Sequence, residues 1–160
     1  MKFSAAELLE MAMELEKKGM DFYRNLSKQV FGTQTRDIFL FLHDEEERHL
    51  SYFSEMYETL DRKPVVFDTM NEAIEYLGAI IENGVLGKVL KGVDLTGGDG
   101  GVGRALDIGM DVEKESVIFY QAMEPMIPHQ KRDLLRSIIQ EEKKHYLRLS
   151  GIKQDLATKA

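Results

Sequence analysis

The sequence predicts an all-α chain in which four long helices form two antiparallel hairpins joined by a long crossover. Three observations carry this. Apolar residues recur at three- and four-residue steps through four separate stretches, and glycine or proline interrupts the pattern where the chain must turn. The pattern of the first hairpin then returns in the second, as an internal repeat of one helical pair would.

The elements follow in order. From about Ser4 to Val30, the residues Leu8, Ala12, Leu15, Gly19, Phe22 and Leu26 trace one face of a first helix, and Ser4 with Glu7 resembles a capping box. Gly32 in "FGTQT" punctuates the chain, and a second helix from about Thr35 to Leu60 ends before Pro64. These two make hairpin one, about residues 4–60. The crossover, about 61–103, contains a shorter helix around "NEAIEYLGAIIEN", the glycine-rich "TGGDGGVG" and no strand pattern beyond "PVVF". A third helix from about Arg104 stops at Met123, ahead of Pro125 and Pro128, and a fourth runs from about Gln130 to Leu149, with its apolar row reaching Ile152 past Gly151. They make hairpin two, about 104–150, leaving a C-terminal tail of about 151–160 within a single domain of 1–160.

Composition narrows the chemistry. A hydrophobic fraction of 43% with 31% charged residues is ordinary for a soluble globular domain. No apolar run reaches the length of a membrane span, and Glu7 and Glu10 interrupt any signal-peptide core, so the expected location is the cytoplasm. The absence of cysteine excludes disulfides, thiolate zinc sites, iron–sulfur clusters and a rubredoxin centre; any metal must be held by oxygen and nitrogen. A net charge of −7 without a Lys/Arg cluster argues against nucleic acid. Gly98, Gly100 and Gly103 satisfy G-x-G-x-x-G, but no buried strand precedes them, so the stretch reads as a mobile loop and no nucleotide cofactor is expected.

The core-facing rows contain residues that do not belong in an apolar stripe. On helix two the row is Phe39, Leu42, Glu46, His49, Phe53, Met56 and Leu60; on helix four it is Leu135, Ile138, Glu142, His145, Leu149 and Ile152. Each is interrupted by Glu-x-x-His. Helix one carries Glu16 between Ala12 and Gly19, and helix three carries Glu113 between Gly109 and Ser116, so all four helices turn a carboxylate inward. A single Glu three residues before a His is usually an exposed helix face. Here it is repeated: "EKKGMDFY" matches "EKESVIFY", and the first Glu precedes the later pair by 30 residues in one half and 29 in the other. His43 and His129 lack a Glu at that spacing and read as surface and turn residues.

Helix geometry gives an independent test. Glu16 lies 16 residues before Gly32, while Glu46 and His49 lie 14 and 17 after it. At about 1.5 Å per residue, the three sit at one height above the turn. Around Pro128, Glu113 is 15 before and Glu142 and His145 are 14 and 17 after, which repeats the level. Packing the hairpins together brings four carboxylates and two imidazoles to the middle of a bundle, where uncompensated carboxylates are costly to bury. Two divalent cations balance the charge, and this donor set suits iron or manganese, with zinc also open. Tyr23 and Tyr120 lie on the same inner faces; they read first as packing residues with satisfied hydroxyls and second as candidates to tune the site. Met13, Met56, Met123 and Met126 read as core fillers.

A Glu from each of two helices with Glu-x-x-His from each of the other two is the ligand set of ferritin-like di-iron and di-manganese proteins. The stretches "ELEKKGMDFY", "EEERHL", "DVEKESVIFY" and "EEKKHYL" resemble the rubrerythrin branch of that superfamily over both hairpins. The resemblance implies a ferritin-like four-helix bundle, with Glu46 and Glu142 bridging two metal ions, Glu16 and His49 completing one, and Glu113 and His145 the other. It implies a redox enzyme that reduces peroxide or oxygen, with ferritin-like iron binding, oxidation or storage without an organic substrate as the alternative. Two departures accompany it. Rubrerythrins typically add a cysteine-rich rubredoxin module, which these residues lack, so the electron donor is expected to be a separate protein. They also have a further Glu one turn after the helix-three ligand, where this chain has Ser116; Glu115 faces away from that row. A homo-oligomer, with a dimer favoured, completes the expectation.

Overall fold

Ser4 starts the first helix as its sequence suggests. Its hydroxyl accepts from the Glu7 backbone amide at 3.1 Å, and the Glu7 carboxylate accepts from the Ser4 amide at 2.7 Å, so two otherwise unpaired donors are satisfied reciprocally. The structure is a computed structural model that describes residues 3–60, 71–93 and 101–159. Its helices are α1 (Ala5–Gln29), α2 (Thr33–Glu58), α3 (Asn71–Asn83), α4 (Val85–Leu90), α5 (Gly101–Met123) and α6 (Arg132–Thr158), with short 3₁₀ turns at Glu124–Met126 and His129–Lys131. Among the described residues there is no strand, and no helix is long and apolar enough to cross a membrane. The "PVVF" stretch and Gly98 and Gly100 lie outside the described residues.

α1 pairs with α2, and α5 with α6, as two helical hairpins whose inner faces meet. The core falls into two apolar parts. One gathers Leu8, Leu15, Phe53, Met56, Phe119 and Ile138; the other gathers Tyr23, Leu26, Phe39, Leu42, Leu106 and Leu149. On every long helix the two parts are separated by the turn that carries Glu16, Glu46 with His49, Glu113, or Glu142 with His145. A polar layer therefore crosses the bundle at one level, clamped by hydrophobic packing above and below. The second hairpin's turn is tied by Arg132, which donates to the Ile127 and Pro125 carbonyls at 3.0 Å each.

Residues 151–158, expected as a tail, continue α6 instead. Ile152 is buried in the same row as Leu149, and the Lys153 ammonium pairs with Asp107 on α5; together these hold the helix past Gly151. α5 likewise starts at Gly101, ahead of Arg104, with Val102 packed against the core. The short helix α4 was not expected. It exists because Gly87 sits where a Cβ would fall 1.5 Å from the Ile81 carbonyl oxygen, an approach that only glycine allows. α4 ends on a Schellman motif: Val93 donates to the Lys88 carbonyl and Gly92, at φ +75°, donates to that of Val89.

Candidate metal centre

All six residues expected as ligands are buried and converge. None exceeds 4% exposure. Donor atoms from Glu16, Glu46, His49 and Glu142 lie within 4.8 Å of one another, and so do those from Glu46, Glu113, Glu142 and His145. Glu46 and Glu142 are common to both groups. His49 Nδ1 lies 3.0 Å from Glu142 Oε1 and 3.6 Å from Glu16 Oε2, while His145 Nδ1 lies 2.9 Å from Glu46 Oε1 and 3.1 Å from Glu142 Oε2. The two imidazoles stack, with centroids 5.6 Å apart.

The cluster is electrostatically incomplete. Among the described residues, buried atoms without a hydrogen-bond partner include Glu16 Oε2, Glu46 Oε1, both Glu142 oxygens and the Nδ1 atoms of His49 and His145. Orphaned donors and acceptors of this kind are expensive unless something inside the layer satisfies them. Burial, reinforced by the charges of Glu142, Glu16 and Glu113, pushes the Glu46 carboxyl well above its ordinary range. Burial and the Glu142 charge push Glu113 up in the same way. For Glu142, burial also acts upward, but the imidazoles of His145 and His49 outweigh it and hold the carboxyl below its usual value. Burial would lower His49, yet its contacts with Glu142 and Glu16 prevail and raise it to about 12. Four carboxylates thus compete for too little positive charge, and inward-facing oxygen and imidazole nitrogen suit two divalent cations.

Neighbouring side chains hold the six in place. Tyr23 on α1 donates to Glu113 on α5, and Tyr120 on α5 donates to Glu16 on α1, a reciprocal pair of bonds between the hairpins. The bond from Tyr120 takes Glu16 Oε1 and leaves Oε2 facing His49. Both tyrosines are 1% exposed, and burial with the adjacent carboxylates, Glu113 and Glu16 respectively, keeps their hydroxyls protonated. Gly19, one turn after Glu16, makes room for Glu46: a Cβ there would come to 3.0 Å from Glu46 Oε2. Its counterpart on α5 is the buried Ser116. Glu115 has a different task, accepting from the Leu86 amide at 2.9 Å at the start of α4. His43 is half-buried beside Arg24 and Asp44, and His129 lies in a 3₁₀ turn; neither reaches the layer.

Glu141 and Arg48 escaped sequence reasoning. His49 Nε2 lies 2.6 Å from Glu141 Oε2, so a ring that donates there presents the Nδ1 lone pair to the cluster. Arg48 in turn donates to Glu141 at 3.0 Å and pairs with Glu45 at 2.6 Å. The doubled carboxylates of "EEERH" and "EEKKH" were the available signal, but only the fold shows that α6 supplies the partner of an α2 histidine. Among the described residues His145 has no equivalent, since its Nε2 is buried without a partner there and Glu45 is engaged by Arg48. Replacing Glu141 with Ala is expected to weaken metal affinity about 10–100-fold, the usual cost of losing such a carboxylate. Titration calorimetry of Glu141→Ala against the parent with Zn²⁺ checks this, and unchanged binding means that Glu141 does not orient His49.

Comparison with known proteins agrees with the geometry. A protein from Thermotoga maritima, whose crystal structure is described as that of a ferritin-like diiron-carboxylate protein, is 25% identical to this chain with a TM-score of 0.67, and the match covers 95% of each chain. No curated protein matches. The family model for rubrerythrin matches residues 7–153, which span both hairpins and all six clustered residues. The chain therefore belongs to the rubrerythrin family.

Proposed function

We propose that this chain is a di-iron redox protein that reduces peroxide. Glu46 and Glu142 would be shared between the two ions, Glu16 and His49 would complete the ligand set of one, and Glu113 and His145 that of the other. The carrying observation is that two four-residue groups share Glu46 and Glu142 and leave their inward-facing atoms unsatisfied. When bound, two ferrous ions supply the two electrons that, with two protons, convert hydrogen peroxide to two waters. The chain's own work is positional. Tyr23 and Tyr120 fix the terminal carboxylates, Glu141 fixes one imidazole, and the apolar clusters on either side hold the layer at one level of the bundle. Family membership and the similar fold of the Thermotoga maritima protein support the di-iron reading.

No cysteine occurs in these 160 residues, so the electrons that restore the ferrous state come from a redox group outside them. The purified protein is accordingly expected to complete one oxidation and stall. Mixing the ferrous form with peroxide or oxygen at equal concentration in stopped flow tests the choice of oxidant: the first turnover is expected to be faster with peroxide. A clear preference for oxygen would move the assignment to ferritin-like iron oxidation.

A further inference from the structure

We propose that the metal centre is served by a binding site for a small, uncharged, largely apolar organic molecule, in a cleft between α1, α4 and α5. This rests on the di-metal reading above and adds a ligand to it. The cavity measures about 260 Å³ and runs from the surface to the polar layer. Its walls are Leu15, Phe22, Val89, Ile108 and Val112, and Glu16, Glu46 and Glu113 form its inner end.

Size argues for an organic occupant. A dry apolar cavity of about 150 Å³ accepts benzene. This one has room for a single ring with a short substituent, whereas peroxide or oxygen, at two heavy atoms, would occupy a small part of it. The room has local causes. Gly19 and Ser116, both lining the cleft, put almost no side chain at equivalent positions of α1 and α5. Gly109 lets the Phe22 ring lie against α5, where a Cβ would come within 3.0 Å of it.

Charge argues for a neutral one. With two divalent ions bound, the charges of the four carboxylates are balanced, so the inner end formed by Glu16, Glu46 and Glu113 carries no net charge to draw in either an anion or a cation. At the mouth, Lys18 and Asp21 offer opposite charges and select neither sign. Ser116, a buried residue on the wall one turn from Glu113, is the neutral polar side chain that the cleft offers to one polar atom of a guest. Apolar walls with polar groups at fixed points are the ordinary make-up of a small-molecule site.

The test uses zinc-loaded protein, which has no redox chemistry, with benzyl alcohol as probe and benzoate and benzylammonium as charged controls of similar shape. Methyl NMR should show saturable shifts for Leu15, Val89, Ile108 and Val112 with benzyl alcohol, and binding of both ions about tenfold weaker or worse. Ile108→Trp and Val89→Trp fill the cleft from two different helices. Either one that keeps the parent's helical circular dichroism and its two zinc ions should lose probe binding. If the parent holds two zinc ions but benzyl alcohol shifts none of these methyls, or both ions bind equally well, this inference is overturned and the metal assignment stands. If zinc does not bind at the six residues, the metal assignment fails and takes this inference with it.

Discussion

Glu46→Ala removes most of the thermal stabilisation that divalent metal confers on this chain. The reason is position: Glu46 is one of two carboxylates common to both four-residue groups, so on the proposed assignment its loss would strip an oxygen donor from each metal at once. At a free metal concentration 100 times Kd, linkage stabilises the native state by about 2.7 kcal/mol, which in a domain of this size corresponds to a rise in melting temperature of roughly 5–10 °C. The parent should show that rise with Zn²⁺ or Mn²⁺ and the variant only a small part of it. Without metal the order narrows, because Glu46 is held against Glu142, Glu16 and Glu113 and its removal relieves that repulsion. Equal gains in parent and variant would mean that Glu46 bridges nothing.

The stabilisation by metal should also grow steeply with pH, because metal-free and metal-loaded proteins respond to pH in opposite senses. In the metal-free chain, Glu46 and Glu113 have carboxyl groups raised above the ordinary 4.5, so the fold favours their neutral forms and loses stability as pH climbs from 4.5 toward their raised values. His49, raised from 6.5 to about 12, contributes stability that is fully present below 6.5 and is lost progressively between 6.5 and 12. Glu142, lowered from 4.5, acts in the opposite sense, but its contribution is complete above 4.5 and is lost only in acid. Above pH 5 the metal-free protein therefore becomes less stable as pH rises. Metal binding requires deprotonated carboxylates and free imidazole lone pairs, so it competes with those protons and strengthens as pH rises. Melting curves from pH 5.5 to 8.5 with and without Zn²⁺ should diverge with pH. Parallel curves would show that metal does not displace protons from this layer.

Much of this centre was legible in one dimension because a helix converts sequence spacing directly into height. Glu16 and Glu113 could be set level with the two Glu-x-x-His pairs simply by counting residues from Gly32 and Pro128, and each of the six is buried within the layer. What stayed hidden depended on contacts between helices. The bonds from Tyr23 to Glu113 and from Tyr120 to Glu16 join residues 90 and 104 positions apart, and no periodicity within one helix indicates which carboxylate each hydroxyl will meet. Glu141 lies beside the inner row of α6 rather than in it, and only the approach of α2 makes it the partner of His49. The end of α6 stays open at Gly151 in the sequence for a related reason. Gly151 weakens a helix considered alone, whereas burial of Ile152 and the Lys153–Asp107 pair sustain it in the bundle. α4 depended on Gly87 passing close to the Ile81 carbonyl, a steric fact that sequence spacing does not encode.

The central claim is that these six residues hold two metal ions, and anomalous diffraction at the iron edge from crystals of iron-loaded protein tests it most directly. Two peaks are expected within the polar layer, one beside Glu16 and His49 and the other beside Glu113 and His145, with Glu46 and Glu142 touching both. Iron found only at surface carboxylates, with no peak among these six residues, would contradict the account.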